Sequence, residues 1–202
     1  MKLITAKPSP FARKARVVVI ELGLQDRVSE LDVGGVAPVS NTADVNSVNP
    51  LGMIPALELD DGGSLYNSPL VCEYLNHIGG GSLFPTDPAR RYATLELQAL
   101  ADGLLDVAVA LRYETALRPE ALRWADYIEH QKEKIGRALD ALETKCANFE
   151  AEPLIGEITV ACALGYLDFR YPEDDWRNGR AQLSAWYESI RQRPGLQQTV
   201  PE

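Results

Sequence analysis

Cysteine and histidine are scarce in this chain, with three of the former and two of the latter in 202 residues. Cys72, Cys146 and Cys162 are odd in number, far apart and set in helical apolar patterns, so a disulfide framework is excluded and buried, inert thiols are expected. His77 and His130 have no partners at ligand spacing, and no metal centre is expected. Basic residues are outnumbered, 20 Lys and Arg against 29 Asp and Glu, for a net charge of -9. Neutralising phosphates needs clustered cations, so a nucleic-acid partner is not expected. No apolar run reaches the roughly 18 residues that span a bilayer, and no charged segment followed by an apolar core opens the chain. A soluble, cytoplasmic protein is expected. The one tight basic group, Arg13, Lys14 and Arg16, reads either as a solvated helix face or as a local attractor of an anionic ligand.

What the chain does have is a clear change of periodicity. Over the first eighty residues, strand candidates at Lys2 to Ala6, Val28 to Val33, Ala56 to Leu59 and Ser64 to Tyr66 alternate with helices, and Asp61-Gly62-Gly63 is a hairpin signal. Gly79-Gly80-Gly81 and the run Leu83 to Pro88 then break the pattern. From Ala89 the spacing is helical. Leu95, Leu97, Leu100, Leu104, Leu105 and Val109 mark a long helix; Pro119 separates it from one carrying Ile128, Ile135, Leu139 and Leu142. Further helices are expected over Ile155 to Arg170 and Ala181 to Gln192, with a polar loop, Pro172 to Gly179, between them. The fold class is α/β plus all-α: a small α/β domain over 1–80, a linker over 81–88 and a helical domain over 89–202.

Three turns carry the chemistry. Ser9-Pro10-Phe11 joins the first strand to a helix over about Phe11 to Leu22, with Ser9 placed to cap it. In Asn49-Pro50-Leu51-Gly52-Met53-Ile54-Pro55, the proline before a strand is a candidate cis peptide that leaves the amide and carbonyl of Ile54 free to pair with an extended peptide. Ser68 before Pro69 reads as a helix N-cap with proline at the first helical position, and such a helix start attracts a carboxylate.

In this order and spacing the three turns resemble the glutathione S-transferase family, and Leu100 to Asp106 and Ala161 to Arg170 look like segments of its bacterial, YibF-type branch. The resemblance implies a thioredoxin-like N-terminal domain with an all-helical C-terminal domain, a homodimer, glutathione as co-substrate and no metal. It makes Ser9 the catalytic residue, its hydroxyl donating to the glutathione sulfur at the positive end of a helix; the other reading of Ser9 is a plain N-cap. Phe11, Arg13, the Ile54 backbone with Pro55, Asn67, Ser68 and Asp102 would hold the tripeptide, with Asp102 acting in its own subunit or across the dimer. Phe11, Arg112, Tyr113 and Tyr166 would line a pocket for the electrophile between the domains. The family usually has an acid where this chain has Asn67, which should weaken the grip on the γ-glutamyl ammonium. It also usually has Ser or Thr three residues before the acid of its core helix. Leu154 stands there, so the capping box before Glu157 lacks its first member, an expected loss of about 1 kcal/mol. Cysteine-dependent redox chemistry is disfavoured, because Ser9 supplies no thiolate. Two other readings share the scaffold: a non-enzymatic interaction protein of the stringent starvation protein A type, and a glutathione-dependent isomerase or lyase.

Overall fold

A computed structural model of the chain describes residues 1–35 and 42–202. It divides into two compact units, 1–91 with 192–202, and 92–191. The first unit holds a four-stranded mixed sheet in the order β2-β1-β3-β4, made of β1 (Lys2–Thr5), β2 (Ser29–Asp32), β3 (Ala56–Glu58) and β4 (Ser64–Tyr66). β1 and β2 run parallel through the crossover helix α1 (Pro10–Glu21), whereas β3 is antiparallel to both β1 and β4. The expected hairpin is formed: Gly62 takes a φ of 85°, and the Asp61 carboxylate accepts from the Gly63 amide at 2.9 Å. Two short helices have bounds that the sequence does not mark, α2 (Ala43–Val48), between strands as expected, and α8 (Pro194–Gln197). Both are too short for a helical period to register. Val45 and Val48 of α2 pack with Ile4, Ala56 and Ile54 over the sheet.

The unit boundary departs from the 89–202 division at the C-terminus, because residues 192–202 pack onto α1. Arg13 is 3% exposed, with Nε donating to Thr199 Oγ1 at 3.3 Å and a terminal nitrogen to the Leu196 carbonyl at 3.0 Å. Glu21, at the other end of α1, accepts from Arg193 at 2.7 Å and from the Gly195 amide at 3.1 Å. The basic group is therefore not a solvated face: Arg13 and Lys14 are buried, and Arg16 pairs with Glu30 at 2.7 Å. Hydrogen bonds from a charged donor contribute about 1.5 to 3 kcal/mol. Arg13→Met should therefore lower stability by about 2 kcal/mol in urea denaturation and speed amide exchange over 192–202. Unchanged exchange there would mean that Arg13 does not anchor the segment.

α3 (Ser68–Gly79) completes the first unit, and the division falls inside α4 (Pro88–Arg112), after Arg91. The second unit continues through a π turn at Tyr113–Leu117, α5 (Ala125–Lys145), α6 (Ile155–Arg170) and α7 (Ala181–Ile190). Every residue of α6 from Ile155 to Leu167 is buried, which makes it the central helix of the unit. Its expected capping defect is half repaired. Glu157 accepts from the Leu154 amide at 3.1 Å and the Glu150 amide at 3.2 Å, while Leu154, which has no acceptor to offer, is 8% exposed. Burying a leucine contributes about 1.5 to 3 kcal/mol, more than the roughly 1 kcal/mol a missing cap costs. Cys72 and Cys162 are buried free thiols, whereas Cys146 is half-exposed and donates to the Glu143 carbonyl at 3.1 Å. Among the described residues, no helix is long and apolar enough to cross a membrane.

Candidate functional site

Strand register gathers the three motif turns. Ile4 of β1 pairs with Ala56 of β3, and Ala56 pairs with Tyr66 of β4. The loop after β1 that carries Ser9, the Ile54-Pro55 step before β3 and the Asn67-Ser68 step after β4 therefore leave the same end of the sheet. Neighbouring strands lie about 4.8 Å apart, so the row is about 10 Å wide, the scale of a short extended peptide.

Ser9 sits half-buried in extended backbone, with Pro10 as the first residue of α1. Its Oγ accepts from the Ala12 amide at 3.2 Å, and its carbonyl accepts from the Arg13 amide at 2.9 Å. Capping uses a lone pair and leaves the hydroxyl hydrogen free to donate, so the cap and catalytic readings of Ser9 are compatible. Pro10 has no N–H, and Ala12 and Arg13 are satisfied. Among the described residues, the half-buried Phe11 thus contributes the one first-turn amide of α1 without a partner. A hydroxyl and an amide at the positive end of α1 are both donors for an anion.

The Ile54-Pro55 bond is cis. The Ile54 side chain packs against the cluster over the sheet, and among the described residues its amide and carbonyl have no partners. Asn49, to which the sequence reading gave no role, holds this loop. It is 2% exposed; its side-chain nitrogen donates to the Met53 carbonyl at 2.7 Å and its side-chain oxygen accepts from the Leu51 amide at 3.0 Å. Its place at the head of the Asn-Pro-x-Gly-x-x-Pro run was the signal that could have found it.

The N-cap of α3 is Asn67, not Ser68, which is the first helical residue with Pro69 second. Asn67 is exposed and holds φ 75°, ψ 124°, outside even the left-handed helical region, and its side chain does not cap the helix. This positive φ on a non-glycine residue is a conformation that costs about 1 to 3 kcal/mol and that concentrates at ligand clamps. Ser68 beside it is 3% exposed.

Arg13 is engaged with the C-terminal segment: its Nε and one terminal nitrogen donate to Thr199 and Leu196, while its other terminal nitrogen is buried without a hydrogen bond. The remaining candidates lie in the second unit. Asp102 is half-buried within α4. Arg112 ends α4, Tyr113 opens the π turn and Tyr166 stands 3% exposed on α6. Burial raises the pKa of the Tyr113 and Tyr166 phenols, against the opposing field of Arg170, so both are protonated donors at neutral pH.

Residues 8–78 match the N-terminal domain of glutathione S-transferases, and residues 125–189 match the C-terminal domain. The chain is 32% identical to the uncharacterized GST-like protein YibF of Escherichia coli (strain K12), over 100% of this chain and 98% of that protein. Among solved structures, it is similar to a glutathione transferase family member from Pseudomonas fluorescens Pf-5 with bound glutathione: 43% identity, TM-score 0.96, covering 100% of this chain and 98% of the other. A glutathione S-transferase from Methylobacillus flagellatus KT with glutathione bound has 34% identity and a TM-score of 0.90, over 100% of this chain and 99% of the other. With its N-terminal sheet, its helical second unit and full-length likeness at this identity, the chain belongs to the glutathione S-transferase family.

Proposed function

We propose that the chain is a glutathione transferase of the serine type that acts as a cytoplasmic homodimer and joins glutathione to a small electrophile. Glutathione lies along the sheet end, with its cysteinyl backbone on Ile54, before Pro55, and its γ-glutamyl group at Asn67 and Ser68. The observation that carries this reading is the Ser9 hydroxyl, free to donate, beside the unpartnered Phe11 amide. Both point to stabilisation of a thiolate. The bound glutathione of the two bacterial relatives supports the same ligand. Asp102, from its own subunit or across the dimer, supplies the carboxylate toward the ammonium that Asn67 lacks, and Arg112, Tyr113, Tyr166 and Phe11 take the electrophile. An isomerase or lyase would share these parts and differ in substrate.

Calorimetric titration with glutathione, read with ultraviolet thiolate absorbance of the complex, tests the proposal. Saturable binding that brings up thiolate absorbance at pH 7 is expected, and heat without thiolate would refute the activating role. The neutral Asn67 favours the rival, a non-enzymatic interaction protein, which predicts no binding at all. Asn67→Asp restores the charge-assisted bond with a side chain of the same shape as the one it replaces. It should tighten glutathione binding by about 5-fold. No gain, or a loss, would place the ammonium elsewhere.

A further inference from the structure

The arginines of the second unit divide into two groups. Arg118 pairs with Glu114, Arg137 with Glu133, Arg177 with Asp168 and Glu188, Arg180 with Asp140 and Arg191 with Glu188. Such pairing is expected in a chain with 29 acids and 20 bases. Arg112, Arg123 and Arg170 have no carboxylate partner among the described residues; Arg123 is exposed and donates to the Arg118 carbonyl at 3.2 Å, which leaves Arg112 and Arg170 to be explained. Arg170 Nε is buried and makes no hydrogen bond, and its guanidinium lies 4.0 Å over the Phe169 ring. A buried donor of a charged group left unmade is uncommon and points to a missing acceptor.

The helix ends that carry these two arginines are tied together. Tyr171 Oη donates to the Ala108 carbonyl at 2.6 Å, tying the end of α6 to α4 one turn before Arg112. Tyr166 and Arg170, four residues apart on α6, share a face. Arg112 and Arg170 both act electrostatically on Tyr166 and Tyr171. The neighbouring acids are committed or distant in effect. Glu114 accepts from Arg118 at 2.7 Å and the Trp124 amide at 2.9 Å, and Asp174 acts on Tyr171 without pairing with either arginine. The α4 helix gives way at this point to the π turn that starts with Tyr113, a feature frequent at functional sites.

We infer that Arg112 and Arg170, with the hydroxyls of Tyr113 and Tyr166, form a subsite for a carboxylate carried by the electrophile. This rests on the transferase reading and deepens it: the substrate class is small, electrophilic and anionic. Two planar guanidinium groups and two neutral phenols supply donors only, and a carboxylate supplies acceptors only. An uncharged electrophile would leave the cluster as it stands, with Arg170 Nε unsatisfied.

The test compares S-(4-carboxybenzyl)glutathione with S-(4-carbamoylbenzyl)glutathione, which match in size and differ in charge. Calorimetry should show the acid binding about 10-fold tighter than the amide. Arg112→Gln and Arg170→Gln should each abolish that preference, the acid losing more affinity than the amide, while the affinity for glutathione itself stays within about 2-fold; Arg170→Lys should retain part of it. The retained affinity for glutathione shows that each variant is folded. Equal binding of acid and amide to the unaltered protein would overturn the subsite. So would a loss of affinity for glutathione itself that matches the loss for the acid, since the charge would then serve the tripeptide. Binding of glutathione but of neither conjugate would overturn it as well. If glutathione also fails to bind, the transferase reading has failed and this inference falls with it.

Discussion

Ser9→Ala should raise the pKa of the bound glutathione thiol by about 1 to 2 units while leaving the affinity for glutathione within about 3-fold. A free thiol has a pKa of about 8.5. The hydroxyl of Ser9, donating to a thiolate, makes a charge-assisted bond of about 1.5 to 3 kcal/mol, and each pKa unit is about 1.4 kcal/mol. If the bound thiol titrates near 6.5, roughly three quarters is thiolate at pH 7; after the substitution that share falls by about 3- to 25-fold. The conjugation rate should fall by less, because a more basic thiolate is a better nucleophile. The deficit should close above about pH 9, where both proteins hold thiolate. The check is a pH titration of thiolate absorbance alongside the pH–rate profile. Superimposable titrations for the two proteins would remove Ser9 from the chemistry and leave it as a helix cap. The Phe11 amide remains in the variant, so some depression of the thiol pKa should survive.

Gly156→Val should cost about 3 kcal/mol of stability, read as a lower midpoint in chemical denaturation followed by tryptophan fluorescence. A Cβ at Gly156 would stand 2.9 Å from the Thr94 carbonyl oxygen and 3.0 Å from Leu97 Cβ and Cδ2. The first contact is backbone, which cannot rotate away, so α6 has to move off α4 within the second unit. Valine is the sharper test than alanine. Replacing glycine by alanine in a helix contributes about 1 kcal/mol by propensity, enough to offset much of a mild clash. Valine gains less and adds two methyls to the same contact. A midpoint equal to that of the unaltered protein would show that the two helices have slack here.

These two sites differ in how far they could be read from the chain alone. Ser9, the cis Ile54-Pro55 bond and the hairpin at Gly62 are local events, decided by the residue and its immediate neighbours. Their motif is visible in sequence because the atoms that bond are three or four residues apart. The capping of α3 was read one residue late, since Asn67, the residue after β4, holds a positive φ and takes the N-cap position ahead of Ser68. Asn49 was inside a recognised motif, yet its role depended on where its side chain turns.

Composition and periodicity determined an α/β segment followed by helices, and the motif order determined the family, because apolar spacing and turn chemistry are properties of neighbouring residues. Tertiary structure alone decided that Arg13, read as a candidate anion ligand, is buried under a segment 186 residues away. It decided too that Arg112 and Arg170 have no carboxylate partner among the described residues, and that Gly156 faces the Thr94 carbonyl. Each of these depends on which distant group occupies the space beside a side chain, and a charge or a missing Cβ looks the same in sequence whatever it faces.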